Sequence, residues 1–217
     1  MIYLENIFVC LAIPLIIAAC LLKGETRRFT VFFTLGFLVC LLSAYINSFI
    51  AAAAANNGYA SLTITQAMAQ ITPICEEIMK ALPIFFFIAA HRHGRDSIVA
   101  ASLAVGLGFA TFENCFYIME YGSSDFLFAL TRGFTAGVVH ASCAAILGYG
   151  LALTYRRGRL AIPCAFALLC ATSTFHSIYN LLVVAKGAWR TAGYIMPVIT
   201  AAVVIIGMMN TKLKIEN

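Results

Sequence analysis

The segment Cys75-Glu76-Glu77-Ile78-Met79-Lys80 places three charges inside residues 68–90, which otherwise form nearly continuous apolar sequence. An apolar run of about 20 residues is long enough to cross a bilayer as a helix. A charged side chain at mid-bilayer depth costs about 2.5–3.5 kcal/mol on insertion scales, and it persists mainly where protein or a water-filled cavity receives it. The two adjacent carboxylates therefore need a structural or a functional explanation.

Helical spacing suggests different roles for these charges. Residues four apart lie on one helix face, whereas neighbouring residues point about 100° apart. Glu76 is therefore predicted to pair with Lys80, while Glu77 points elsewhere. Pro73 loosens the helix just before both glutamates. A purely structural ion pair would explain Glu76 and Lys80 but not Glu77, and we favour a functional interpretation.

The composition indicates an all-α, polytopic membrane protein. The 217 residues are 62% hydrophobic and 11% charged, whereas soluble domains carry about 25% charged residues. We expect one transmembrane domain over residues 1–217, formed by a bundle of about seven helices. The seven apolar stretches long enough to cross a bilayer are residues 2–22, 29–55, 62–90, 97–121, 126–155, 160–185 and 189–209.

The basic residues predict the orientation of this bundle. Most of the 14 Lys and Arg residues fall on one side, and the loops of the other side hold only Lys186 and Arg190. Because cytoplasmic loops are enriched in Lys and Arg, the N-terminus is predicted outside and the C-terminus in the cytoplasm. With basic residues confined to short clusters and a net charge of +5, we expect no nucleic-acid partner. The cytoplasmic clusters contain Lys23, Arg27, Arg28, Arg92, Arg95, Arg156, Arg157, Arg159, Lys212 and Lys214.

Four consecutive spans carry ionisable side chains at similar depths. At a rise of about 1.5 Å per residue, these side chains lie roughly 12–20 Å from the outer ends of their helices. Ionisable residues in membrane spans are costly and typically mark functional sites. The layer contains Glu76 and Glu77 in the third span, Glu113 in the fourth, His140 in the fifth and His176 in the sixth.

These residue types suit the hydrolysis of a peptide bond. That reaction needs a base to activate water, an acid for the leaving amine and donors for the oxyanion. A glutamate in an apolar site can act as the base near neutral pH. His176 and Asn180 lie one turn apart on one helix face and offer hydrogen-bond donors.

Two other classes of function use the same residue types. Carboxylates and histidines at mid-membrane depth also form ion relays, so a proton- or cation-coupled transporter is the alternative prediction. The sequence contains no evident inverted repeat of the kind many transporters have. A third interpretation is a seven-helix receptor or assembly factor whose polar residues only join helices or bind a ligand.

Four motifs occur in order on successive spans: Glu76-Glu77-x-x-Lys80, Phe109-x-x-x-Glu113-Asn114, His140, and His176-x-x-x-Asn180. Their order resembles the PrsW family of intramembrane proteases and, more distantly, the CAAX-processing endopeptidase superfamily. The resemblance covers about residues 68–180. It implies a multi-pass protease of the bacterial cytoplasmic membrane that cuts membrane-anchored proteins, in some members an anti-sigma factor.

The resemblance also implies a catalytic core near residues 62–185. Supporting roles are expected for Lys80 and Asn114, and the sequence gives no oligomeric state. The expected catalytic residues are Glu76, Glu77, Glu113, His140, His176 and Asn180.

Two mechanisms remain open at this point. Glu113, His140 and His176 would form a His₂Glu zinc set with one position open for water. Alternatively, Glu76 or Glu77 activates water without a metal, and His176 and Asn180 stabilise the oxyanion. The lack of a close His pair in the sequence slightly favours the second mechanism. The expected cofactor is thus zinc or none.

Overall fold

A computed structural model describes residues 4–90, 94–122 and 126–216 of the protein. Within these ranges the chain forms seven α-helices and no β-strand. Arg92 and the side chains of Lys212 and Lys214, which contributed to the predicted orientation, lie outside the described part. The helices are α1 (Leu4–Leu21), α2 (Gly24–Asn56), α3 (Ser61–Ala90), α4 (Arg95–Tyr117), α5 (Phe126–Thr154), α6 (Ala161–Val184) and α7 (Ala188–Glu216).

Each predicted span corresponds to one helix, and most helix ends agree within a few residues. Among the described residues, five helices are long and apolar enough to cross a membrane, namely α2, α4, α5, α6 and α7. The apolar part of α1 is shorter, and α3 is the helix that carries the three central charges. The all-α fold and the multi-pass membrane architecture predicted from the sequence are confirmed.

Helix α4 lies at the centre of the bundle and packs closely against α2 and α5. Small residues allow this approach, as expected where helices pack inside a membrane. A Cβ atom on Gly108 would collide with the backbone of Phe33 in α2, and one on Gly106 would collide with the Ala144 side chain in α5. These contacts set the positions of α2 and α5 relative to Glu113 of α4.

Two local features of the helices lie beside the charged residues. Pro73 and Pro83 sit inside α3 on either side of its charges, and each removes one helical hydrogen bond. A π-helical turn, Ile118–Gly122, follows the end of α4. Such turns are rare and frequently occur at functional sites.

Substituting Gly108 tests the close contact between α2 and α4. We expect Gly108→Ala to lower the free energy of unfolding by about 1–3 kcal/mol, because the added methyl group overpacks the crossing. Gly133→Ala in α5 is the control, since a Cβ atom there meets nothing within 4 Å. Thermal unfolding in detergent micelles measures both variants, and equal melting temperatures would contradict this packing.

Candidate active site

Five predicted site residues from α3, α4, α5 and α6 meet in one largely buried cluster. Glu77 is 0% exposed, and His140 and His176 are 1% and 2% exposed. Their side chains are connected by a continuous series of hydrogen bonds and ion pairs rather than facing lipid. The cluster contains Glu76, Glu77, Glu113, His140 and His176.

Glu77 connects α3 to α6. Its Oε1 atom accepts a hydrogen bond from Lys80 Nζ at 2.7 Å and another from His176 Nδ1 at 3.0 Å. The predicted pairing of Lys80 with Glu76 is therefore wrong. Both acids are within reach of Lys80 along the helix, but Lys80 Nζ also lies 2.7 Å from His140 Nδ1 and 4.3 Å from the ring centre of Phe109. Lys80 thus contacts Phe109 of α4 and His140 of α5 while it is paired with Glu77.

Glu113 joins α4 to α5 through a shared oxygen. Its Oε2 atom lies 2.7 Å from His140 Nε2 and 2.9 Å from Arg132 Nη2. The Arg132 guanidinium also stacks on Tyr117, 3.8 Å from the ring centre. Because the carboxylate paired with Arg132 accepts hydrogen bonds, we assign the His140 proton to Nε2. His140 Nδ1 then carries the lone pair.

The same reasoning assigns the tautomer of His176. Its Nδ1 atom donates to Glu77, so Nε2 carries the lone pair and faces Glu76 Oε2 at 3.7 Å. That oxygen is buried and has no hydrogen-bond partner among the described residues. His176 Nε2 thus presents a free lone pair to Glu76, whereas the lone pair of His140 Nδ1 faces Lys80 Nζ at 2.7 Å. Glu77 Oε2 is likewise buried without a hydrogen-bond partner among the described residues.

These groups fit a metal ion. One ligand atom from each of Glu76, His140 and His176 lies within 4.8 Å of the others. Each histidine bonds a carboxylate through its other nitrogen, which is the usual outer-shell arrangement of metal-binding histidines. Three carboxylates, those of Glu76, Glu77 and Glu113, lie near the two cationic side chains of Lys80 and Arg132. When all three carboxylates are ionised, they carry one negative charge more than these cations balance, and a metal ion would neutralise it.

Glu113 does not belong to this set of ligand atoms. For a metal-dependent mechanism, the sequence predicted Glu113, His140 and His176 as the zinc ligands, but the described structure brings Glu76 together with both histidines. Glu113 instead bonds His140 and Arg132 through one oxygen. The depths predicted for Glu76 and Glu113 are similar, so the rotation of each helix decides which acid meets both imidazoles.

A cavity of about 200 Å³ lies beside the cluster, between α1, α2, α3 and α4. Two of the three carboxylates line it, together with four other polar residues that offer hydrogen-bonding groups. A reacting group in this cavity would therefore contact the cluster directly. The polar lining residues are Ser43, Asn47, Thr72, Glu76, Glu113 and Tyr117.

The two predicted asparagines do not join the network. Asn180 is half-buried on α6, and no hydrogen bond links it to the cluster among the described residues. The Oδ1 atom of Asn114 is buried without a partner in the described structure. Arg132 and Asn47 were not among the site residues predicted from the sequence, although each is a polar residue inside an apolar span, which is the signal that marks them.

The fold and the cluster define the class of protein. It is an integral membrane protein in which buried carboxylates and imidazoles adjoin a cavity, an arrangement suited to hydrolysis within the bilayer. The model of the PrsW family intramembrane metalloprotease matches residues 25–208, and the chain belongs to this family. Comparisons with curated proteins and with solved structures gave no match.

Membership of this family confirms the predicted enzyme class, an intramembrane protease. Its substrates are therefore proteins embedded in the lipid bilayer. The alternative prediction of a coupled transporter gains no support from the match.

Neutralising Glu77 and Glu76 separately tests the contacts of the cluster. Glu77→Gln leaves the buried ammonium of Lys80 without its counter-charge, and we expect the free energy of unfolding to fall by about 3 kcal/mol. Glu76→Gln is the matched control and should change it far less, because Glu76 Oε2 has no hydrogen-bond partner among the described residues. Thermal unfolding in micelles compares the two variants. If both variants lose the same free energy of unfolding, the central position of Glu77 in the network is contradicted.

Proposed function

We propose that the protein hydrolyses peptide bonds of membrane-anchored proteins with a divalent metal ion held by Glu76, His140 and His176. The observation that carries the proposal is the convergence of these three ligand atoms within 4.8 Å. Their donor set, one carboxylate and two imidazoles, is one that catalytic zinc sites use. When bound, zinc would polarise the scissile carbonyl group and make water a stronger nucleophile.

The residues around this set have separate tasks in the proposed reaction. Glu77 and Glu113 each hold one histidine by its protonated nitrogen and so keep the other nitrogen free of its proton. Lys80 and Arg132 supply positive charge beside these carboxylates. The network therefore keeps both imidazoles in the tautomer that can bind a cation.

Glu113 is the proposed proton carrier. It lines the cavity, and its Oε2 atom is engaged by His140 and Arg132. The Oε1 atom can then accept the proton of the attacking water and donate it to the leaving amine. The oxyanion role predicted for Asn180 would fall instead to the metal ion, which polarises the carbonyl group when bound.

The proposed substrate is a membrane-anchored protein cut in the outer half of the bilayer. The predicted orientation and the depth of the charged layer support this location. The resemblance supports a bacterial cytoplasmic membrane, an anti-sigma factor as one kind of substrate and a catalytic core near residues 62–185. The remaining helices would complete the single transmembrane domain.

Single substitutions test the assigned roles. We expect Glu113→Gln, Glu76→Gln and His176→Ala each to reduce cleavage by about 100-fold or more, because they remove the proton carrier or a metal ligand. Cleavage is measured on co-expressed single-span membrane proteins tagged at both ends. Glu120→Gln, which changes an exposed acid near the end of α4, is the control. Cleavage at the control level by all three variants would reject the proposed site.

Metal removal separates the two mechanisms that the sequence left open. The purified protein is expected to contain about one divalent ion per chain by elemental analysis. A strong chelator should lower cleavage by about 100-fold or more, and added zinc should restore it, because the ion supplies several kcal/mol of transition-state stabilisation. Full cleavage by metal-free protein would instead support water activation by a glutamate alone.

A further inference from the structure

We infer that Asn47 of α2 binds a peptide group of the substrate backbone, which makes α2 part of the substrate-binding site. The inference rests on the proposed function. It concerns a residue that lies outside the four sequence motifs and, among the described residues, has no hydrogen bond to the proposed metal ligands.

Asn47 shares a cavity with two carboxylates of the cluster. The cavity of about 200 Å³ places Asn47 on the same lining as Glu76 and Glu113. At a rise of about 1.5 Å per residue, Asn47 lies about 14 Å along α2 from Asn56. This depth falls in the same layer as the charged residues of α3 to α6, so Asn47 can reach a substrate held at the cluster.

Only one of the two polar atoms of the Asn47 side-chain amide has a hydrogen-bond partner among the described residues. Its Oδ1 atom is buried and has no hydrogen-bond partner among the described residues. Its Nδ2 atom donates to Ser43 Oγ at 3.4 Å, which is long for such a bond. A buried acceptor without a partner costs free energy, and a ligand that supplies a donor at this position recovers that cost.

A backbone peptide group is the chemical complement of this amide. Its N–H can donate to Asn47 Oδ1, and its C=O can accept from Nδ2. Inside a membrane helix, these backbone groups are already bonded to one another. The ligand class is therefore an extended peptide segment, unwound where it enters the cavity, rather than an intact helix.

A bound water molecule would also satisfy Asn47 Oδ1. The two possibilities differ in what they require of a peptide ligand. A direct bond selects one particular backbone N–H, whereas a water that stays in the cavity selects none.

The test uses the full-length protein in micelles and a capped apolar peptide, acetyl-Leu-Ala-Ala-Leu-methylamide, as the probe. Each backbone nitrogen is methylated in turn to remove one donor at a time. Calorimetry measures binding, and mass spectrometry verifies that the probe stays intact. We expect methylation at one position to weaken binding about 5- to 10-fold more than at the others. Asn47→Leu should abolish that difference, because leucine has no acceptor.

Ser48→Ala, which changes an exposed neighbour on α2, should keep the methylation profile of the unsubstituted protein. If thermal unfolding shows that the Asn47→Leu variant is not folded, the binding measurement is repeated with Asn47→Ala. An unchanged profile in the Asn47 variants, or no binding of the probe to the unsubstituted protein, overturns the inference. Position-specific binding without cleavage of any membrane substrate would uphold it and reject the proposed hydrolysis.

Discussion

The buried contact between Glu77 and Lys80 is the constraint on which the rest of the site depends. A bilayer interior penalises every charge, and α3 carries three of them, so other helices must supply partners. One oxygen of Glu77 accepts hydrogen bonds from Lys80 and from His176, which lies on α6. Lys80 in turn contacts His140 on α5. The placement of these helices is therefore determined by the pairing of polar groups as well as by apolar packing.

Lys80 also connects the structural network to the proposed metal site. Its Nζ atom lies 2.7 Å from His140 Nδ1, the nitrogen assigned to metal binding. An ammonium group and a metal ion cannot share one lone pair, so an ion at His140 requires Lys80 to give up this contact. Glu77 still accepts Lys80 at 2.7 Å. The buried cation keeps a counter-charge in either case, and metal binding need not disrupt the packing of α3.

The sequence predicted the helices and the convergence of the site, but not the pairing within it. Apolar length and loop charges determine the spans, and depth along each helix brings Glu113 and His176 to one layer. Spacing within α3 allows Lys80 to pair with either Glu76 or Glu77. In the structure Lys80 pairs with Glu77, and it also contacts Phe109 of α4 and His140 of α5. Which acid meets both imidazoles at the proposed metal site depends likewise on helix rotation, which tertiary contacts such as that of Gly108 control.

Buried polar atoms without partners are concentrated around the site in the described structure. They belong to the cluster itself, to Asn47 in the cavity, and to Asn114 and Arg132 beside Glu113. Each such atom costs about 1–3 kcal/mol, a cost that proteins retain mainly at functional sites. The apolar core formed mainly by α1 to α4 can offset it. In the proposed complex, a peptide N–H would supply a donor to Asn47 Oδ1 and a metal ion would supply positive charge to Glu76 Oε2. These two atoms, which destabilise the free protein, would then favour the complex with its substrate.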